Sequence, residues 1–143
     1  MPTRAMRSLL IAALLLAPMA AQALQLSLYD RGGRAVAYID TDSAMSIYLW
    51  QGQPVAYLDN QAIYGFNGRH LGWFIDGAFL DRDGHVVGVA EDVAFRSRRI
   101  EPLKGIQGLP PLKALPEPAP LPPWPSGLWS PMPLDAFLQM GKK

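Results

Sequence analysis

The residue types that most often carry chemistry are sparse in this chain and fall near turns. It has two histidines and no cysteine. We expect His70 and His85 to be exposed hairpin residues, because a strong metal site needs three or four nitrogen, sulfur or carboxylate ligands. The segment Asp81-Arg82-Asp83-Gly84 has the opening spacing of a calcium loop but lacks the later glutamate of such loops. A hairpin turn is sufficient to explain it.

The same residue types do not combine into a catalytic arrangement. No serine lies in a strand-turn-helix elbow of the kind that exposes a nucleophile, and the absence of cysteine excludes thiol chemistry. Acidic pairs such as Asp40 and Asp59 recur because a repeated unit ends in aspartate. The sequence therefore predicts a protein that is not an enzyme and has no catalytic residue, metal or cofactor. A hydrolase ranks last among the hypotheses, because its acid, base and nucleophile cannot be assembled.

Aromatic residues are the remaining candidates for a binding site. Tyr38, Tyr57 and Trp73 recur at equivalent positions along the chain. Repeated rings can form a stacking platform, or they can pack as core and cross-strand pairs, which is their commoner use. We predict that these rings are core, and we keep small-ligand or cell-wall glycan binding through Tyr38, Tyr57 and Trp73 as the alternative.

These residues belong to a unit of about a dozen residues that occurs four times between positions 28 and 91. In each copy an apolar pair leads into a turn that ends in glycine, and a second apolar run follows. Asn67-Gly68 and Asp83-Gly84 predict type I′ hairpin turns, and the earlier copies have glycine at the same place. Each unit is thus a predicted β-hairpin. Because an isolated hairpin is only marginally stable in water, the four must pack together.

Alignment of the second strands shows a column of tiny residues beside a column of aliphatic ones. The tiny residues are Ala37, Ala56, Gly72 and Gly88, and the aliphatic residues are Val36, Val55, Leu71 and Val87. A strand position that stays small usually marks the close approach of other backbone. We therefore predict four hairpins around a pseudo-fourfold axis lined by the tiny residues, with alternate positions facing outward. A plain antiparallel meander is the alternative.

The repeat resembles that of the bacterial 4-fold beta flower proteins, in which four hairpins with a Tyr-x-x-x-Gly-x-x-Val-Ala-Tyr-like motif surround an axis. Residues 48–58 and 63–74 carry the resemblance best, and it covers roughly residues 26–92, with 129–138 as a further candidate. The fourth copy departs from the pattern at Leu80 and Val89, where aromatics are preferred. The resemblance implies an all-β fold of four hairpin repeats with pseudo-fourfold symmetry, and it brings no activity, cofactor or catalytic residue with it.

The start of the chain has the features of a secretory signal peptide over residues 1–23. Arg4 and Arg7 precede an apolar run at 9–16, and Ala21-Gln22-Ala23 resembles a cleavage site. The apolar run is too short for a spanning helix, so we predict an exported, periplasmic or secreted protein without stable membrane insertion after cleavage. Since disulfides are absent, the core or an assembly must stabilise the exported chain.

Charge is divided unevenly along the rest of the chain. Residues 24–92 carry a net charge of −5, and residues 93–143 carry a net charge of +4. The nearly neutral sum argues against nucleic acid as a partner. The asymmetry would allow the tail to lie on its own acidic head, or on that of a second copy.

Proline dominates the tail, with eleven prolines between positions 102 and 133. We predict a hairpin domain over 24–100, an extended proline-rich linker over 101–129 and a short apolar segment over 130–143. Ser130-Pro131 predicts the start of a short helix. The tail is more apolar than a disordered one requires, so we expect it to dock on its own protein, on a second copy or on an unidentified protein partner. The candidate docking residues are Trp124, Trp129, Leu134, Phe137 and Leu138.

The main functional hypothesis is an exported, non-enzymatic β-repeat module for structural or protein interactions. It follows from four similar units that offer no distinguished reactive site.

Overall fold

The computed structural model describes residues 24–91 and 99–143, and the predicted signal peptide lies outside these ranges. The regular structure within them consists of eight short strands and one helix. The strands are β1 (Gln25–Tyr29), β2 (Ala35–Asp40), β3 (Ser46–Leu49), β4 (Pro54–Asp59), β5 (Ala62–Gly65), β6 (His70–Ile75), β7 (Ala78–Leu80) and β8 (Val86–Ala90), and the helix is α1 (Leu134–Gln139).

The strands form a closed barrel in which each strand pairs with its sequence neighbours. The ring closes where Leu28 and Tyr29 of β1 pair with Ala90 and Val89 of β8. Closure leaves no unpaired sheet edge, which is why four marginal hairpins are stable together. The predicted all-β fold of four hairpins with a short C-terminal helical segment is confirmed, and closure distinguishes it from an open meander.

The four hairpins turn through three-residue loops. In the first, the amide of Gly33 donates to the carbonyl of Asp30 (3.0 Å), and the amide of Asp30 donates to the carbonyl of Arg34 (2.9 Å). Only the last loop residue is left-handed, with φ of 78°, 100°, 88° and 85° at Gly33, Gly52, Gly68 and Gly84. A type I′ turn needs two left-handed residues. The type I′ prediction for Asn67-Gly68 and Asp83-Gly84 is therefore wrong, because only the glycine of each pair has a positive φ.

A type I′ turn occurs instead in the link between the third and fourth hairpins. Asp76 (φ 50°) and Gly77 (φ 77°) join Ile75 of β6 to Ala78 of β7. Asp-Gly is a preferred pair for this turn because both residues tolerate a left-handed backbone. Because the strands alternate in direction around the barrel, the hairpin loops lie at one end, here called the turn end, and the links between hairpins lie at the other, here called the link end.

A β-bulge in each hairpin rotates the aliphatic column into the barrel. In the first hairpin Leu28 pairs with Ala37 and Tyr29 pairs with Ala35, so Val36 has no partner of its own. The equivalent bulged residues in the other hairpins are Val55, Leu71 and Val87. A bulge breaks the alternation of faces, so these aliphatic side chains join the interior cluster. The prediction that they face outward is wrong for this reason.

The C-terminal helix fills the interior of the barrel. Leu134, Phe137 and Leu138 are at most 1% exposed and belong to the same cluster as the inward-facing strand residues. The tiny column provides the space: a Cβ on Gly72 would lie 3.1 Å from the Phe137 ring, and a Cβ on Gly88 would lie 2.8 Å from a methyl of Leu134. The tiny residues therefore surround a helix. The two glycines among them also lie close to strand backbone: a Cβ would be 2.0 Å from the Leu80 carbonyl oxygen at Gly72 and 3.2 Å from the Tyr29 carbonyl oxygen at Gly88.

The contacts at the two ends of α1, here called the plug, show how this helix is held in the barrel. Its N-cap is Pro133 without a side-chain cap, so the prediction that Ser130-Pro131 begins the helix is wrong. The hydroxyl of Ser130 instead accepts from the amide of Met132 (3.2 Å). At the other end, Nδ2 of Asn67 donates to the carbonyl of Met140 (2.8 Å). This bond fastens the helix to the third hairpin loop, at the turn end of the barrel.

Replacing Phe137 by alanine tests whether the helix completes the core. We expect Phe137→Ala to lower the free energy of unfolding by about 3–5 kcal/mol, because it leaves a cavity inside a closed barrel. Gln139→Ala, which changes an exposed residue of the same helix, should change it by less than about 0.5 kcal/mol. Urea unfolding measures both values. Equal stability of the two variants would contradict the conclusion that the helix completes the core of the barrel.

Candidate functional site

The proline-rich tail runs around the barrel and is bonded to each hairpin loop in turn. Four tail amides donate to the carbonyl oxygens of the four loop glycines, over 2.8–3.0 Å. The pairs are Arg99 with Gly33, Gly108 with Gly52, Glu117 with Gly68, and Ser126 with Gly84. The segment predicted as a linker is therefore not a free spacer. We call residues 99–126 the strap, and this strap crosses one hairpin loop every nine residues.

The nine-residue spacing is visible in the sequence of the tail itself. Pro102-Leu103-Lys104, Pro111-Leu112-Lys113 and Pro120-Leu121-Pro122 start nine residues apart, and sequence reasoning missed this repeat. Nine residues are three turns of a polyproline II helix, so residues nine apart face the same way. A nonapeptide repeat in the tail thus matches the hairpin repeat of the barrel.

The tail also has a shorter period of three. Positions 99, 102, 105 and every third residue to 126 face the barrel, and most of them are small residues or proline. The next position of each triplet is apolar and faces solvent. These outward residues, here called the apolar ridge, are Ile100, Leu103, Ile106, Leu109, Leu112, Leu115, Leu121 and Trp124, all 85–98% exposed. A three-residue period places them on one side of a polyproline II helix.

The tail covers the outer wall of the barrel, where the candidate ligand-binding rings lie. Tyr38, Tyr57 and Trp73 are 1%, 5% and 7% exposed. The ammonium groups of Lys104 and Lys113 lie 4.5 Å and 4.1 Å from the ring centres of Tyr38 and Tyr57, a cation–π geometry. In this arrangement the three rings pack between barrel and tail, so they are not open to a sugar.

Polar groups of the wall bind the tail at defined points. Nε1 of Trp50 donates to the carbonyl of Pro102 (3.0 Å), the hydroxyl of Tyr64 donates to the carbonyl of Glu117 (2.8 Å), and the hydroxyl of Tyr38 donates to Gln107 (3.1 Å). Burial raises the pKa of the tyrosines at 38, 57 and 64, so these phenols stay protonated donors in the physiological range. Aromatic residues that donate to the carbonyls of a polyproline segment are typical of proline-rich peptide recognition; here the peptide is the protein's own tail.

The five candidate docking residues separate into three groups. Leu134, Phe137 and Leu138 are buried inside the barrel. Trp129 is half-buried and forms a parallel bridge with Val86 of β8. Trp124 is 93% exposed, so its side chain does not dock on this chain itself and forms the last member of the apolar ridge, while docking on a partner stays a prediction.

The two histidines have different environments. His70 is 2% exposed, with its ring 5.4 Å from that of Tyr64 and 4.7 Å from that of Trp73, so the prediction of an exposed residue is wrong for it. It begins β6 beneath the tail, and its amide donates to the carboxylate of Glu117 (2.7 Å). Burial and, to a smaller extent, Arg82 lower the pKa of His70, while Glu117 opposes them.

His85 directly follows the fourth loop and forms a cluster with Asp81 and Asp83 whose ligand atoms are within 4.8 Å of one another. The carboxylate of Asp81 accepts from the amides of Asp83 and His85, both at 2.9 Å. Asp30 accepts from loop amides in the same way in the first hairpin. These carboxylates therefore cap loops, as expected for aspartate at a turn.

The model of the family described as 4-fold beta flower protein matches residues 26–138. The chain belongs to this family. The match extends beyond the hairpins through the tail to the helix, which agrees with a beta flower whose strap and plug are part of the fold. This is not a known enzyme family. No curated protein and no solved structure matches the chain. In the described part of this beta flower, no helix has the length and hydropathy to cross a membrane.

The seating of the strap can be tested at a loop glycine. A Cβ on Gly52 would lie 1.9 Å from the Ile106 carbonyl oxygen, whereas one on Gly127, which is also left-handed, would meet nothing within 4 Å. We expect Gly127→Ala to cost about 1 kcal/mol from backbone strain alone. Gly52→Ala should cost clearly more and should speed hydrogen exchange at the Gly108 amide. Equal costs, with unchanged exchange at Gly108, would contradict this contact.

The buried histidine predicts a pH dependence of stability. Its lowered pKa means that the unfolded chain binds a proton that the folded chain does not, so stability is lost as pH falls below about 6.5. Both ring nitrogens are buried, so protonation in place is unfavourable. We expect His70→Gln to flatten the stability profile between pH 5 and about pH 7, measured by urea unfolding. His85→Gln is the control, and an unchanged profile in the His70 variant would overturn the assignment.

Proposed function

We propose that this protein is an exported, non-enzymatic β-repeat module whose apolar ridge is its recognition surface. The ridge is the observation that supports the proposal. Monomeric soluble proteins rarely expose contiguous apolar patches of more than a few hundred Å². Eight large apolar side chains exposed in a regular row are best explained as a surface that another molecule covers.

Other parts of the molecule are less available for recognition. The helix occupies the interior, and the tail covers the aromatic wall. A partner that approaches from the side therefore meets the ridge first. Burial of each leucine or isoleucine of the ridge would contribute about 1.5–3 kcal/mol, so even half of the row would be a substantial contact.

The strap is held in place before any partner arrives. Its amides bond the loop glycines, and Trp50 and Tyr64 bond its carbonyls. Proline-rich segments also lose little conformational entropy on binding. The ridge is thus presented as a preorganised surface, unlike a disordered tail, which must be ordered on binding.

Two further features support the remaining parts of the proposal. Arg4, Arg7, the apolar run at 9–16 and Ala21-Gln22-Ala23 support export. The carboxylates of Asp30 and Asp81 serve as loop caps, which supports a module without a distinguished reactive site.

Site-specific photocrosslinking in the producing cell tests this proposal. A benzophenone amino acid in place of Leu112 should give adducts with a second molecule, because the side chain there is 85% exposed within the ridge. The same residue in place of Asp42, an exposed position at the link end, is the matched control and should give far fewer adducts. If ridge and control positions give equally few adducts at equal expression, the ridge is not a recognition surface.

A further inference from the structure

We propose that the apolar ridge and the turn end of the barrel bind the surface of a bilayer that contains anionic phospholipid. This inference rests on the proposed function and names the partner of the same surface. Two independent features of the described residues carry it: the polarity of charge along the barrel axis, and the way in which the ridge surrounds the barrel.

Charge is separated between the two ends of the barrel. Among the described residues, the hairpin loops and the helical plug at the turn end carry six basic side chains and four acidic ones. The link end carries five acidic side chains, and its loops at 41–45, 60–61 and 76–77 contain no lysine or arginine. The basic residues are Arg31, Arg34, Arg69, Arg82, Lys142 and Lys143, and the link-end acids are Asp40, Asp42, Asp59, Asp76 and Glu91.

This polarity orients the molecule at a negative surface. Lysine and arginine near an anionic lipid surface are attracted to it, and this attraction decays within a Debye length. Carboxylates are repelled from the same surface. The turn end would therefore face the lipid, and the link end would face water. The strap that carries the ridge is bonded to the loop glycines at the turn end. Its Lys104 and Gln107 side chains also bond Gln25 and Asp40 near the link end.

The course of the ridge also suits a bilayer. It follows the strap past successive loops from Gly33 to Gly84 and therefore surrounds most of the barrel. A second copy related by a twofold axis would cover only an arc of such a ring. A fluid interface can cover the whole ring at once. Trp124 at the end of the ridge and Trp129 beside it are the residue type that prefers the membrane interface.

The composition and hydrogen bonds of the strap lower the free-energy cost of its transfer from water to the membrane interface. Unpaired amides are costly to remove from water. Nine of the residues between 99 and 126 are prolines, which have no amide hydrogen. Others, including Gly105, Ala114 and Glu117, already donate to barrel carbonyls. The binding mode is peripheral, with apolar side chains at the headgroup boundary and basic groups in the headgroup layer.

Vesicle sedimentation with the full exported chain tests the proposal. Phosphatidylcholine vesicles with and without phosphatidylglycerol are the probes. We expect binding to the anionic vesicles, weaker binding to the neutral ones, and a loss of binding as salt is raised. Leu109→Ser/Leu112→Ser should lower the partition coefficient at least about tenfold. Arg31→Gln/Arg69→Gln should lower it on anionic vesicles only.

The matched control uses exposed apolar residues at the link end. Leu24 and Met45 are 64% and 38% exposed, and Leu24→Ser/Met45→Ser should leave vesicle binding unchanged. Unfolding curves of all variants check that the fold persists, which is expected because every substituted side chain is at least partly exposed.

The outcomes separate this inference from the function on which it rests. If neither type of vesicle binds but Leu112 crosslinks to a protein or to a second copy, the membrane is the wrong partner and the ridge remains a recognition surface. If vesicles fail and crosslinking fails as well, both proposals fall. Equal loss of vesicle binding in the ridge variant and the link-end variant would also overturn the membrane proposal.

Discussion

The burial of Leu134, Phe137 and Leu138 inside the barrel is the contact on which the rest of the structure depends. Four bulges direct aliphatic residues inward, and four tiny residues leave an axial space that the helix fills. An unfilled space of this kind would be costly, because protein interiors are close-packed. Since β8 ends at Ala90 and the helix starts at Leu134, the intervening chain must travel back to the turn end of the barrel.

The path of that intervening chain explains its unusual composition. A polyproline II helix has three residues per turn, so the strap can present one residue of each triplet to the barrel and another to solvent over its whole length. Small residues and prolines suit the first position, where the backbone approaches Gly52 and Gly68 closely. Nine residues bring the same face of the strap to the next loop. The fourfold hairpin repeat of the barrel is therefore matched by the nonapeptide repeat of the strap. The two repeats differ in length and in secondary structure.

The side chains that are open to a partner therefore lie on the tail that covers the barrel. Aromatic side chains that sequence patterns associate with a ligand platform are used to hold the strap, and Tyr38 and Tyr57 lie under lysines of the strap itself. What faces outward is an apolar ridge on a rigid support, with basic groups at one end of the barrel and carboxylates at the other. This arrangement is the basis of the proposed recognition surface.

The sequence by itself determined the hairpins, their number and the family, because glycine spacing and strand alternation are local properties of the chain. It also predicted that Leu134, Phe137 and Leu138 would be buried somewhere, since exposed apolar side chains seek burial. Only the tertiary structure decided that the helix enters the barrel, that His70 is covered, and that Trp124 is exposed. Those outcomes depend on bulges that invert the facing of Val36 and its equivalents and on contacts between segments far apart in the chain. No local pattern encodes such contacts. The nonapeptide repeat at Pro102, Pro111 and Pro120 nevertheless has the same nine-residue spacing as the bonds between the strap and the hairpin loops.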